Sequence, residues 1–227
     1  MPFHSTLLAI PIMSCLLFAS KPDKKHTRIV FFGDSITEAG VLPGGYIAQM
    51  RDSIAANGRG NRFDLIGSGI GGNKVYDLYL RLEEDVLALK PNIVVLYVGV
   101  NDVWHKQTFG TGTDADKFQK FYLALIQKFQ KKGIRVIACT PACIGERHAG
   151  ENQLDTELDR FSEIIRNVCA QKELPLCDFR KAFQDYAAKN NPNNLESSIL
   201  TTDGVHLNEK GNKLVAEMLL QKIQSKK

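Results

Sequence analysis

Short apolar runs that alternate with amphipathic stretches constrain the fold of this 227-residue chain more than any other feature. Each run is too short for a helix, and residues 29–32 are apolar throughout, which is typical of a strand buried on both faces. Strands that alternate with helices form parallel sheets covered by helices on both sides. The sequence therefore predicts a three-layer α/β/α sandwich around a five-stranded parallel sheet, with strands at residues 29–32, 63–66, 93–98, 135–140 and 176–178.

The helices are predicted from apolar residues that recur at helical spacing. The clearest is the stretch 114–132, in which Phe118, Tyr122, Leu125 and Phe129 fall on one face. The same pattern predicts helices at residues 46–56, 78–89, 158–168, 180–189 and 209–223. Right-handed crossovers would bring the loops that follow the strands to one edge of the sheet.

Composition and charge indicate which classes of binding partner to expect, nucleic acids and membranes included. The chain is 44% hydrophobic and 24% charged, as in ordinary soluble globular proteins. Its formal net charge of +4 is spread along the sequence and forms no basic arm, so no nucleic-acid partner is expected. Stable membrane insertion is not expected either, and the oligomeric state cannot be read from the sequence.

The first twenty residues differ from the rest of the chain. Residues 6–18 form an almost entirely apolar, uncharged stretch, too short to span a bilayer and typical of a signal-peptide core. We predict a signal peptide over residues 1–20, a linker over 21–27 and one domain over 28–227, with export to the periplasm or the medium. The stretch before Cys15 loosely resembles a lipoprotein cleavage site, so lipid anchoring is an alternative and an uncleaved anchor is a third.

Three residues with complementary acid–base chemistry occupy the predicted edge of the sheet. Ser35 follows the first strand, and Asp203 and His206 lie in one short loop before the last helix. A serine becomes a good nucleophile when a histidine takes its proton and a carboxylate orients that histidine. Because ligands bind outside the carboxyl ends of parallel strands, these residues are candidates for acyl transfer.

Acyl transfer also requires hydrogen-bond donors aimed at the oxyanion. The amides of Ser35 and Gly69 and the side chain of Asn101 each follow a strand and are the candidate donors, while Asp34 and Trp104 are predicted substrate contacts. Each residue also has a structural interpretation. Ser35 could cap a helix, Asn101 could be a turn residue, and an isolated Asp-x-x-His more often forms an Asx-turn beside a surface histidine.

Four motif blocks occur in a fixed order along the chain. They are Gly-Asp-Ser-Ile-Thr after the first strand, Gly69 after the second, Gly-x-Asn-Asp after the third and Asp-x-x-His before the last helix. In this order they resemble the SGNH hydrolases, the GDSL-type esterases and lipases, over residues 28–223. The resemblance implies a flavodoxin-like fold with Ser35 as nucleophile, His206 as base and Asp203 as its partner. It also implies that Gly69 and Asn101 complete the oxyanion hole.

The second block departs from the family pattern. It reads Gly67-Ser68-Gly69, whereas the family often has an asparagine two residues before the donor glycine. The spacing Gly67-x-Gly69-x-x-Gly72 also matches the dinucleotide-binding fingerprint, although the acidic residue expected about 20 positions later is missing. A nucleotide-binding α/β domain and a catalytically silent binding module therefore stay as alternatives of a different class.

The resemblance implies a serine esterase that works through a Ser35 acyl-enzyme, without a metal or an organic cofactor. Because the chain has no long insertion to build a lid or an acyl tunnel, we predict a shallow site and a short acyl group. With the predicted export, acetyl esters of carbohydrates are the first prediction for the substrate, and lysophospholipids or thioesters are the alternative.

The cysteines of the predicted domain receive no catalytic role. Their spacing matches no zinc pattern, so no metal site is predicted. Export would permit disulfides, but the sequence does not determine their connectivity. Two of the four lie in predicted strands, where buried free thiols are common. The four residues are Cys139, Cys143, Cys169 and Cys177.

Overall fold

The structure is a computed structural model that describes Met1 and residues 26–225. Apart from Met1, the predicted signal peptide lies outside the described residues, as does most of the predicted linker. Within residues 26–225, five parallel strands form one sheet in the spatial order β2-β1-β3-β4-β5. The strands are β1 (Thr27–Gly33), β2 (Phe63–Gly69), β3 (Ile93–Tyr97), β4 (Arg135–Cys139) and β5 (Leu176–Cys177).

Helices cover both faces of this sheet. In the described part of the chain they are α1 (Ser35–Gly40), α2 (Tyr46–Ala56), α3 (Val75–Asp85), α4 (Val100–Thr108), α5 (Ala115–Lys131), α6 (Asp155–Lys172), α7 (Phe179–Asn190) and α8 (Glu209–Gln224), with short 3-10 turns at Gly60–Arg62 and Leu87–Leu89. The strand order is that of flavodoxin-like, doubly wound sheets. The predicted fold class is therefore confirmed.

Strand β1 contributes to both halves of the core. Successive side chains of a strand point to opposite faces, so Phe31 and Phe32 pack in different layers. The Phe31 ring meets the Tyr46 ring of α2 edge-on at 5.8 Å, and the Phe32 ring meets the Phe129 ring of α5 at 6.4 Å. All four side chains are fully buried, and burial of each phenylalanine contributes about 1.5–3 kcal/mol. This two-sided burial explains the continuous apolar run in the sequence.

Helices α1 and α4 are the two that sequence periodicity does not predict. Each begins within three residues of the end of a strand, and too few of its residues are buried hydrophobic side chains to show a helical period. Asp34 caps α1 by accepting a hydrogen bond from the Ile36 amide at 3.0 Å. Gly99, with a φ of +134° that favours glycine, turns the chain from β3 into α4. Ser35 and Asn101 therefore lie at the starts of helices that directly follow strands.

The ends of the central strands are level with one another. Gly33 at the end of β1 pairs in register with Gly69 of β2 and with Tyr97 of β3. The direction of strand order reverses between β1 and β3, and such a switch point is where open α/β sheets bind ligands. None of the helices within residues 26–225 has the length and apolar content needed to cross a bilayer.

The cysteines lie where the apolar pattern indicates. Cys139 and Cys177 occupy facing positions of β4 and β5. Cys143 and Cys169 are also buried, and all four are free thiols in the structure.

Candidate active site

Ser35, His206 and Asp203 form a continuous chain of polar contacts. Ser35 Oγ lies 3.0 Å from His206 Nε2, and His206 Nδ1 lies 2.7 Å from Asp203 Oδ2. Because a carboxylate can only accept a hydrogen bond, Nδ1 carries the proton and Nε2 is left to accept from the serine hydroxyl. This arrangement can transfer the serine proton to the imidazole while the carboxylate stabilises the charged ring.

A tight connection from β1 into α1 determines the position of Ser35. Ser35 is the first residue of α1, and Asp34, which caps the helix, immediately precedes it. A Cβ atom added to Gly33 would lie 2.4 Å from the Tyr97 carbonyl oxygen, so only glycine fits there against β3. Ser35 is consequently held at the carboxyl end of the central strands, half-buried at the edge of the sheet.

Asp203 has two functions in its loop. Its Oδ1 accepts from the amides of Val205 and His206 at 2.9 and 2.8 Å, which is an Asx-turn, while Oδ2 contacts the His206 ring. Partial burial raises the pKa of Asp203, but the hydrogen bonds from the ring and the two amides outweigh it and hold that pKa below its usual value. Gly204 adopts a φ of +93°, which the turn requires. The same Asp203 carboxylate therefore forms the Asx-turn and orients His206.

Asp34, a predicted substrate contact, is not brought to the surface of the site. Its side chain is 2% exposed and is occupied in capping α1. Burial raises the pKa of Asp34 to about 7, because the hydrogen bond from Ile36 offsets only part of the cost and Asp102 adds repulsion. Burial likewise raises the pKa of Asp102 to about 7. The site thus has two carboxyl groups in its interior, separate from Asp203.

These two carboxyls make the stability of the fold dependent on pH. Between pH 4 and 7 the folded state holds more protons than the unfolded chain, so the free energy of unfolding decreases as the pH rises towards 7. We expect Asp34→Asn to flatten this decrease by about 1 kcal/mol per pH unit between pH 5 and 6.5, measured by urea unfolding. Equal slopes in the two proteins would show that Asp34 is already ionised in this range.

Gly67 and Gly69 lie within β2 and pack under α1. A Cβ atom at Gly69 would come 2.1 Å from the Glu38 nitrogen, and one at Gly67 would come 2.3 Å from Val41 Cγ1. In the dinucleotide fingerprint these glycines form the turn after the strand, whereas here the strand continues through Gly69. Contact between β2 and α1 therefore accounts for both glycines.

Asn101 is the second residue of α4 and is 2% exposed. Its Nδ2 donates to the carbonyl oxygen of Asn73 at 3.2 Å, in the loop that leads from β2 to α3. A side-chain amide carries two hydrogens, so this bond fixes the side chain with one and leaves the second for another acceptor.

Arg81 braces the same loop, and sequence analysis did not identify it. From α3 its guanidinium donates to the Gly33 carbonyl at 2.8 Å, to Ser68 Oγ at 3.0 Å and to Asn73 Oδ1 at 2.7 Å. It thereby joins the ends of β1 and β2 to the loop that holds Asn101. This bracing lies where the second block departs from the family pattern. In the sequence, Arg81 looks like any solvated arginine on a helix.

An open, polar cleft of about 470 Å³ is bordered by Asp203 and Trp104. Trp104 forms one wall, and the centroid of its ring lies 6.3 Å from that of His206. Asp203 and Val205 border the cleft on the same side, and polar side chains line most of the remainder: Gln107, Arg147, Glu151, Asn152, Gln153 and Glu196. Within the described residues no cluster of three or more His, Cys, Asp or Glu side chains could hold a metal ion.

Comparisons with known proteins identify the family of this chain. The GDSL-like Lipase/Acylhydrolase family profile matches residues 31–214. The crystal structure of the acetyl xylan esterase AlAXEase is 53% identical with a TM-score of 0.85, covering 86% of this chain and 99% of that one. An acetylxylan esterase of Geobacillus stearothermophilus is 25% identical over an alignment of 211 residues that covers 86% of this chain and 93% of that protein. The uncharacterized lipoprotein YqeF of Bacillus subtilis (strain 168) is 25% identical over 91% of this chain and 94% of its own length.

The family profile covers most of the chain, in agreement with the four motif blocks. The resemblance seen in the sequence is confirmed, and this chain belongs to the GDSL-like lipase/acylhydrolase family of ester hydrolases.

Proposed function

We propose that the protein is a serine esterase in which Ser35 forms the acyl-enzyme, His206 is the general base and Asp203 orients it. The observation that carries this proposal is the pair of contacts at 3.0 Å and 2.7 Å that links the three side chains, of which Asp203 borders the polar cleft. A nucleotide-binding domain has no need of this linkage.

The reaction has two steps. Ser35 Oγ attacks the ester carbonyl carbon as His206 Nε2 takes its proton, and the oxyanion accepts hydrogen bonds from the amides of Ser35 and Gly69 and from Asn101. His206 then gives the proton to the departing alcohol, which leaves the acyl group on Ser35. A water molecule attacks the acyl-enzyme as His206 takes its proton. His206 returns that proton to Ser35 Oγ as the bond to the acyl group breaks, which releases the carboxylic acid and free Ser35.

Acetyl esters of carbohydrates are the proposed substrates. The cleft bordered by Asp203 carries both signs of charge, with Arg147 Nη2 3.2 Å from Glu196 Oε2, and such a surface suits a neutral ligand rich in hydroxyl groups. Trp104 offers an aromatic wall against which a sugar ring can pack. Two relatives are named as acetylxylan esterases, one of them 53% identical to this chain, which supports acetylated xylan or its fragments as the substrate class.

A series of esters tests this substrate class. For 4-nitrophenyl esters we expect kcat/KM to fall at least tenfold from acetate to octanoate, because a polar cleft does not stabilise a long acyl chain. Acetylated xylo-oligosaccharides should release acetate, with a lower KM than 4-nitrophenyl acetate. A rise in kcat/KM with acyl length would instead favour the lysophospholipase or thioesterase alternative.

Export is proposed on two grounds. The stretch 6–18 is typical of a signal-peptide core, and a relative that covers most of this chain is named as a lipoprotein. Intact mass measurement on protein from the expressing cell would distinguish cleavage near residue 20 from lipidation at Cys15. An unprocessed N-terminus in the cytoplasmic fraction would contradict export.

A further inference from the structure

A buried carboxylate from another part of the chain holds the loop before α8, residues 199–207, which we call the His206 loop. Glu146 lies between β4 and α6 and is 4% exposed. Its Oε2 accepts from the Ile199 amide at 2.9 Å and from the Thr201 hydroxyl at 2.7 Å, and its Oε1 accepts from the Leu200 amide at 2.5 Å. Three consecutive residues of the His206 loop are therefore attached to one side chain.

Thr201 extends this attachment towards the acid–base pair. Its Oγ1 donates to Glu146 and accepts from the Gly204 amide at 2.9 Å. Thr201 also forms an antiparallel bridge with Leu207, which closes the His206 loop at its far end. Gly204 is held from its other side as well, because the Gly145 amide donates to its carbonyl at 2.9 Å. Gly204 directly follows Asp203, so this network reaches the turn that carries the carboxylate.

Burial of a carboxylate is costly unless its oxygens accept hydrogen bonds. Glu146 meets this requirement entirely with donors of the His206 loop that the structure describes, so the side chain and the loop are energetically dependent on each other. Loss of one of the Glu146 oxygens as an acceptor would leave a buried N–H or O–H of the loop without a hydrogen-bond partner. The loop would then shift until that group found another acceptor.

We propose that Glu146 is a positioning residue, which fixes the His206 loop so that His206 Nε2 meets Ser35 Oγ. The proposal rests on the proposed function of Ser35 and His206. Glu146 itself contacts neither side chain, and it acts through Thr201 and Gly204. A displacement of about 1 Å at a reacting group can reduce a rate about 100-fold, so a loosened loop affects catalysis strongly.

The test uses the full protein and two substitutions on the same path. In Glu146→Gln a side-chain NH2 group replaces one carboxylate oxygen, so a donor of the loop faces another donor instead of an acceptor. In Thr201→Val the hydroxyl that accepts from the Gly204 amide is lost. For both variants we expect kcat with 4-nitrophenyl acetate, and the rate constant of Ser35 labelling by a fluorophosphonate, to fall about 10- to 100-fold. KM should stay within about twofold, and Thr201→Ser, which keeps the hydroxyl, should stay within about threefold of wild type.

Asp178→Asn is the matched control. Asp178 is also a carboxylate that accepts from a backbone amide and a threonine hydroxyl, those of Lys181 and Thr140, and it is paired with Arg166 as well, but all of these partners lie outside the His206 loop. We expect this variant to lower the melting temperature without changing kcat. If Glu146 had only a structural role, Glu146→Gln would also lower the melting temperature and leave kcat unchanged.

The outcomes are distinguishable. Folded Glu146→Gln and Thr201→Val proteins whose kcat and labelling rates stay within twofold of wild type would overturn the positioning role. If Glu146→Gln does not fold, the pair Thr201→Val and Thr201→Ser decides, and a Thr201→Val protein as active as wild type would overturn it. A wild-type protein that is not labelled at Ser35 would overturn the proposed function itself.

Discussion

Replacement of Ser35 by alanine is expected to lower kcat/KM for 4-nitrophenyl acetate about 10⁴- to 10⁶-fold. The reason is that alanine lacks the oxygen that lies 3.0 Å from His206 Nε2, so no acyl-enzyme can form. The fold should not change, because the cap of α1 is the side chain of Asp34 and alanine favours a helix. Initial rates together with urea unfolding measure both effects, and we expect the free energy of unfolding to change by less than about 0.5 kcal/mol.

Ser53→Ala is the control for this substitution. Ser53 lies in α2 beside Phe63, the first residue of β2, and thus near the opposite edge of the sheet. This variant should keep the wild-type rate. Esterase activity that persists in purified Ser35→Ala at more than about one hundredth of the wild-type rate would exclude Ser35 as the nucleophile.

The second large effect is expected at Asn101. If its free amide hydrogen binds the oxyanion, Asn101→Ala should lower kcat about 10²- to 10³-fold and change KM less than about threefold, since the hydrogen bond strengthens only in the transition state. Steady-state kinetics with 4-nitrophenyl acetate measures the two constants separately.

Asn101→Leu separates the loss of the donor from the loss of volume. Leucine has nearly the same size and branching as asparagine, but its side chain has no polar hydrogen to donate to Asn73 or to an oxyanion. We expect it to lose as much kcat as the alanine variant. A variant with unchanged kcat and a raised KM would instead assign Asn101 to ground-state binding.

The parts of this protein that could be predicted from its sequence are those with a local signal. The strands are visible because each is buried on both faces, as Phe31 and Phe32 illustrate. Asp203 and His206 are visible because they lie three residues apart, within a single turn. Ser35 can be predicted as a nucleophile only from the order of the four motif blocks, because a lone serine at the start of a helix is usually just a capping residue.

The parts that escaped prediction depend on contacts between distant segments. Arg81 reaches Gly33 across 48 residues of sequence, and Glu146 reaches Thr201 across 55. No spacing rule connects such pairs, so their side chains look like ordinary charged residues on helices and loops. For Asp34, composition cannot distinguish a capping carboxylate from one that meets a substrate, and its burial under α1 decides for the cap.

Time-dependent labelling with a fluorophosphonate shows whether His206 activates Ser35 as a nucleophile. Mass spectrometry would locate the modified residue in the wild-type protein and in His206→Ala. We expect one adduct, on Ser35, that forms in step with the loss of esterase activity and is absent from the His206→Ala protein. An adduct on another residue, no adduct on the folded protein, or equally fast labelling of Ser35 without His206 would contradict it.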